Sequence, residues 1–214
     1  MTRPMNWLAF YFARTMRREA PLAAFSLPMD QVLARLSGRV ALVGNAKSLA
    51  DGAFGPQIDA ADTVIRINRA PMPSAGSHGT RTDVLALATA IDPESFSQLN
   101  PVLTLWMSHK RKRLPWAVAC RPGFGLPPLA DFAGLRATLN APPTTGLMMI
   151  DLLARSPATS VDLFGFDFFT SLSLSGRRTA AQVPHDFNAE RGFVEALLAR
   201  DTRFHLHKPA ILAE

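Results

Sequence analysis

Short runs of β-branched and aliphatic residues alternate with stretches whose apolar positions recur every three or four residues. That is the pattern of an α/β domain built on a mainly parallel sheet. Strands are predicted at 39–44, 63–68, 83–87, 102–107, 116–119, 161–166 and 204–207, and helices at 30–36, 93–99, 145–155 and 188–200. Segments 71–79 (PMPSAGSHG) and 121–128 (RPGFGLPP) are dense in Pro, Gly and Ser, so both read as loops, too short to divide the chain into domains. Segment 171–184 (SLSLSGRRTAAQVP) has no sustained period and ends in Pro directly before His185; it reads equally as a lid over a site or as a plain surface connection. There is no internal repeat, and one domain over 1–214 is expected, with 1–36 as a basic, amphipathic N-terminal segment.

Composition narrows the class. The 214 residues are 48% hydrophobic and 19% charged, an ordinary globular balance that excludes a disordered or fibrous chain. Lys and Arg number 23 against 17 Asp and Glu, and the resulting +6 favours acidic partners: nucleic acid, an anionic membrane or a phosphorylated sugar. Cys120 is the lone cysteine, which rules out an intrachain disulfide and a cysteine-rich zinc site and suits a reducing, cytoplasmic compartment. It reads as a small buried hydrophobe rather than a nucleophile. The apolar run from Trp7 to Ala13 is far short of the ~20 residues that span a bilayer and lacks a cleavage pattern, so neither a transmembrane anchor nor a signal peptide is expected. Between Arg3 and Arg18, Trp7, Leu8, Phe10, Tyr11 and Phe12 mix with Arg14, Arg17 and Arg18. As a helix this segment could lie on an anionic membrane surface, but docking on its own domain is the preferred reading.

Four stretches carry candidate chemistry. In VALVGNAKSLADG a buried strand runs into Gly44-Asn45, where a ligand can approach backbone closely and an amide can donate or accept. Parallel sheets hold ligands at this end of their strands. Neither the G-x-G-x-x-G nor the G-x-x-x-x-G-K-[ST] phosphate motif is present. In GPQIDAADTVIRINRAP the second strand ends at Asn68, so two amides converge on neighbouring strand ends unless Asn68 only starts the turn before Pro71. In PPTTGLMMIDLLARS, Thr144, Thr145 and Gly146 open an apolar helix, a natural phosphate site that simple threonine capping also explains. In HDFNAERGFVEALL, His185 stands five residues before Glu190, and imidazole is the side chain best suited to take a hydroxyl proton near neutral pH.

Together, VALVGN, GPQIDAADTVIRINRAP, PPTTGLMMIDLLA with VDLFGFD, and H-x-x-x-x-E resemble the large, small and very small sialylmotifs of the sialyltransferases, glycosyltransferase family 29. They occur in the family's order from about Val40 to Glu190. The stretch Gly165-Phe166-Asp167-Phe168 and the His185 helix also resemble the bacterial sialyltransferases of family 42. The resemblance implies a Rossmann-like α/β/α sandwich, a variant of the GT-A fold, and an inverting transferase using a CMP-activated acidic sugar. It implies that Asn45 and Asn68 contact the phosphate and ribose of CMP, that Thr144, Thr145 and Gly146 hold the donor, and that Gly165 and Phe166 line the cytidine pocket. His185 is then the general base and Glu190 supports it.

No metal or other cofactor is expected, since a nucleoside monophosphate leaving group needs little charge neutralisation and no Asp-x-Asp motif occurs; Asp59 and Asp62 are the nearest carboxylate pair. The cysteine that animal family 29 enzymes carry at the start of the large motif is replaced by Val40. Their aromatic-histidine motif has no counterpart between Phe169 and His185, with His78, Arg177 and Arg178 the available substitutes. Expected partners are a CMP-sugar donor, of sialic acid or Kdo, a glycan or lipopolysaccharide-type acceptor, and a peripheral contact with the inner face of the membrane. The rival from another class is an inactive, basic module binding nucleic acid or an anionic surface. The run from His109 to Arg113 reads as a solvated basic face, without the interleaved aromatics of a nucleic-acid site. His205 and His207 share one side of the last strand with no third metal ligand in view.

Overall fold

A computed structural model describes residues 6–168 and 184–209. The predicted loop 171–184, Arg177 and Arg178 included, falls outside the described residues except for Pro184. Three helices come first: α1 (Trp7–Thr15), α2 (Glu19–Ala23) and α3 (Met29–Ala34). Strands and helices then alternate: β1 (Gly38–Val43), α4 (Gly55–Asp59), β2 (Thr63–Ile67), α5 (Ala75–His78), β3 (Val84–Leu87), α6 (Pro93–Leu99) and β4 (Leu103–Trp106). The order continues with α7 (Trp116–Ala119), β5 (Phe124–Gly125), α8 (Leu129–Leu139), α9 (Thr145–Ala154), β6 (Ala158–Phe164), α10 (Phe187–Arg200) and β7 (Phe204–His207).

The strands form one sheet in the order β5-β4-β3-β2-β1-β6-β7, every pair parallel. Alternation along each strand divides the side chains between two layers. Val40 and Leu42 of β1, Ile65 and Ile67 of β2, and Leu163 of β6 join α3, α8, α9 and α10 in one core. Ala41, Val43, Val64 and Phe164 face the other side with Leu49 and Ile58, while Leu85, Leu87 and Trp106 meet α1, α2 and α6 there. The result is the expected α/β/α sandwich.

Chain order reverses between β1 and β6. From β1 the chain works outward through β2 to β5, then crosses back to β6 and continues to β7. The reversal makes the C-terminal ends of β1 and β6 the switch point, where open α/β sheets bind ligands in the crevice outside the strand ends.

Four segments differ from the prediction. Residues 116–119, read as a strand, form helix α7: Pro115 is its N-cap, and the N–H of Cys120 closes one turn on the carbonyl of Trp116. Four apolar residues are too few for periodicity to separate strand from helix. The edge strand β5 lies instead inside the stretch read as a loop, and α5 inside the loop at 71–79. Helix α8 went unpredicted although Leu135 and Leu139 are buried four apart, because Pro127-Pro128 reads as the end of a loop when Pro128 is the helix N-cap.

Residues 6–36 are part of the domain. Phe10, Ala13 and Leu22 are buried in the core on the face of β3 and β4, and Val32 and Leu36 in the core on the opposite face.

Candidate active site

The residues nominated from sequence gather at one edge of the sheet. Val43 is in register with Arg66 of β2 and with Phe164 of β6, so Gly44-Asn45, Ile67-Asn68 and Gly165-Phe166 leave the sheet at one level. The N–H of Gly44 donates to Phe164 O at 2.7 Å and that of Ala46 to Gly165 O at 3.2 Å, extending the β1–β6 pairing past the strands. A Cβ on Gly44 would lie 2.3 Å from the carbonyl oxygen of Gly165, and one on Gly146 2.8 Å from the ring of Phe166. Glycine is required at both positions because backbone and ring close directly on them.

The two asparagines stand on adjacent strand ends. Asn45 Nδ2 donates to Ile67 O at 3.1 Å, tying the loop after β1 to the end of β2. Asn68 has φ 55°, a left-handed conformation that asparagine tolerates, and its Oδ1 accepts the N–H of Ala88 at 2.8 Å. With that oxygen spent, Asn68 has its amide N–H groups for a ligand, which suits an anion.

Helix α9 begins at the same cleft. Thr144 is its N-cap, its hydroxyl oxygen accepting the N–H of Leu147 at 3.1 Å. The sequence reading placed Thr144 on the donor phosphate, but its remaining polar hydrogens go to protein. Its N–H donates to Glu190 Oε1 at 2.6 Å and its hydroxyl to Glu190 Oε2 at 2.8 Å. Glu190 is 4% exposed. Burial pushes its carboxyl up to about 7 and Asp186 adds to the rise, while the bonds from Thr144 oppose it. The N–H groups of Thr145 and Gly146 have no partner among the described residues and remain the donors of the helix start.

His185 precedes α10, whose N-cap is Asp186. Its Nδ1 lies 2.7 Å from the carbonyl oxygen of Pro142. A carbonyl only accepts, so Nδ1 carries the hydrogen and Nε2 of the neutral ring holds the free lone pair. The Glu190–Thr144 bonds and the His185–Pro142 bond both pin the start of α10 to the start of α9.

Sequence reasoning assigned no role to Arg66, although a lone arginine in an otherwise apolar strand is a visible signal. It is buried, with Nε donating to Arg81 O at 2.8 Å and Nη2 to His78 O at 2.8 Å. Burial brings its pKa down to about 10 against the opposing charge of Asp59. His78 is buried too, its Nδ1 2.8 Å from Ser77 Oγ, and burial with the Arg66 charge lowers its pKa. That environment keeps it neutral, which does not suit a stand-in for a phosphate-binding histidine. Asp167, quoted with Gly165 and Phe166 but given no task, accepts from Ser48 Oγ at 3.2 Å.

Other nominated features are spent structurally. Asp59 accepts from Thr80 and Arg81, and although burial opposes ionisation those bonds hold its carboxyl below the usual range. Asp62 accepts from the N–H of Arg39 at the start of β1. His207 Nε2 is 2.6 Å from Asp162 Oδ1. Arg111, from the run read as a solvated basic face, is buried and pairs with Glu19 at 2.7 Å, whereas Lys110, Lys112 and Arg113 are exposed.

Fold and site together define a Rossmann-like α/β domain with its candidate ligand site at the strand-order reversal. The model of glycosyltransferase family 29 (sialyltransferase) matches residues 18–117, a stretch that holds the first two of the four sequence motifs. Over 84 residues the chain is 36% identical to mouse and to human CMP-N-acetylneuraminate-beta-galactosamide-alpha-2,3-sialyltransferase 1, an overlap of 38% of this chain. The chain spans about a quarter of the length of these relatives, 23%. A mammalian sialyltransferase structure superposes with TM-score 0.60 at 20% identity, covering 98% of this chain and 81% of that one. The Campylobacter jejuni sialyltransferase CstII in complex with cytidine-5'-monophosphate gives 0.53 at 15%, covering 84% and 83%.

Proposed function

We propose that the chain is an inverting, metal-independent glycosyltransferase that moves sialic acid, or a related acidic sugar, from a CMP-sugar to a glycan acceptor. The observation that carries the reading is the His185–Pro142 bond, which fixes Nε2 as the basic nitrogen of a histidine beside the cleft. In this reaction the acceptor hydroxyl gives its proton to Nε2 as its oxygen attacks the anomeric carbon from the face opposite CMP, with inversion. The bond to the phosphate oxygen breaks and CMP leaves with the electron pair. The N–H groups of Thr145 and Gly146 and the amide of Asn68 meet the charge that develops on the phosphate, at the positive end of α9. Thr144 and Glu190 act behind them, holding the helix start and the turn bearing His185 in one arrangement.

This deepens the role expected of Glu190 and moves Thr144 from ligand contact to positioning. The relatives named for CMP-N-acetylneuraminate support sialic acid as the donor sugar, and the reading places the enzyme in the cytoplasm. A donor panel tests it: CMP release from CMP-N-acetylneuraminate and from CMP-Kdo, with glycan acceptors, in buffer and in chelator. Release from the first donor, unchanged by chelator, is expected. Release from CMP-Kdo alone reassigns the sugar, and loss in chelator restored by Mg²⁺ or Mn²⁺ refutes the metal-free mechanism. Absence of release and of CMP binding refutes the whole reading in favour of the basic binding module.

A further inference from the structure

Helix α1 has two apolar faces, and the domain uses one. Phe10 and Ala13 are buried, Phe10 packing 5.1 Å from the ring of Trp116 and 5.6 Å from that of Phe25. Leu8, Phe12 and Met16, four residues apart, form a second stripe that is 68%, 59% and 59% exposed, with Trp7 beside it at 52%. Docking on the domain accounts for the inner face and leaves the outer one unexplained.

The surroundings of that stripe are cationic. Arg17 and Arg18 are exposed just past the helix. Lys110, Lys112 and Arg113 are exposed on and beside the 3-10 turn Arg111–Arg113. Two contacts hold this turn against the N-terminal helices: Arg14 Nη1 donates to Leu114 O at 3.1 Å, and buried Arg111 pairs with Glu19 at the start of α2. The turn follows the C-terminal end of β4, so the surface lies on the same edge of the sheet as the cleft, about 15 Å across three strand spacings.

We propose that the outer face of α1 and the turn 110–113 seat the chain on an anionic phospholipid bilayer. Leu8, Phe12 and Met16 enter the acyl boundary, Trp7 sits at the headgroup level and the five cations meet lipid phosphates. Charge selects this occupant over a second copy of the chain, because a two-fold dimer through the stripe would set like cations against like. The inference stands independently of the catalytic reading.

Co-sedimentation of the full chain with vesicles tests it. Phosphatidylcholine/phosphatidylglycerol vesicles are expected to pellet the protein and pure phosphatidylcholine vesicles to do so far less, with binding weakened by salt. Removing one cation should weaken binding about fivefold, so Lys110→Gln, Lys112→Gln and Arg113→Gln combined lose on the order of a hundredfold. Phe12→Glu and, separately, Leu8→Gln should each cost about tenfold or more. All these side chains are exposed, and unchanged circular dichroism verifies the fold. Equal pelleting by both vesicle types, no pelleting by either, or binding indifferent to all variants overturns the proposal. So does a dimer that Phe12→Glu dissociates without any vesicle binding.

Discussion

Replacing Glu190 by glutamine should reverse part of the protein's dependence of stability on pH. Burial raises the Glu190 carboxyl from 4.5 to about 7. Between those values the folded protein keeps a proton that the unfolded chain has released, so stability falls as pH rises through this window and the full loss remains above it. The displacement of roughly 2.5 pH units corresponds to about 3 kcal/mol. Glutamine is nearly isosteric and does not titrate. Its carbonyl can accept the N–H of Thr144, and its amide can donate to the Thr144 hydroxyl oxygen, which keeps a second lone pair beside the one that Leu147 uses. At low pH, where the buried carboxyl is already neutral, glutamine therefore starts within about 1 kcal/mol of the parent. From about pH 4.5 to about pH 8 the variant should gain about 3 kcal/mol on the parent. Urea unfolding of both proteins across that range measures the difference, in which titrating groups that do not interact with Glu190 cancel. A difference that stays constant with pH would refute the claim that Glu190 is held as a buried, easily protonated carboxyl.

Gly44→Ala should cost about 1–3 kcal/mol in urea unfolding, because the added methyl meets the Gly165 carbonyl and strands β1 and β6 must part. Gly134→Ala is the matched control: nothing lies within 4 Å of its Cβ in α8, so helix propensity alone should stabilise the protein by up to about 1 kcal/mol. Arg111→Met should cost about 3–5 kcal/mol, since it removes the ion pair with Glu19 and strips donors from the carbonyls of Trp106, Ser108 and Pro127. A loss below about 1 kcal/mol would show Arg111 to be an ordinary surface cation.

Much of the central sheet was legible because β1 and β2 are buried almost throughout and read as short, mainly apolar runs. The edge was not. Strand β5 is two residues long and is recognisable only by its pairing with β4, and α7 is a single turn. The site shows the same division. His185, Asn45, Asn68 and the helix start at Thr144 were identifiable as residue types at strand and helix ends. What each one does depends on partners remote in sequence: Pro142 lies 43 residues from His185 and Thr144 46 residues from Glu190. No local pattern encodes that Glu190 takes the hydroxyl and the N–H of Thr144, or that Arg111 leaves a basic run to become a buried strut. Leu8 and Phe12 stood out in the sequence only as part of the segment's apolar bulk, and it is the packing of Phe10 that shows which face the domain leaves outside.

The central claim is that His185 removes the acceptor proton. Initial rates of transfer from CMP-N-acetylneuraminate, compared for the parent and His185→Ala with CMP affinity measured in parallel, test it most directly. A rate loss of about 10²–10⁴-fold with CMP affinity unchanged is expected, since no CMP contact is assigned to His185. Transfer by His185→Ala at the parent rate would contradict it.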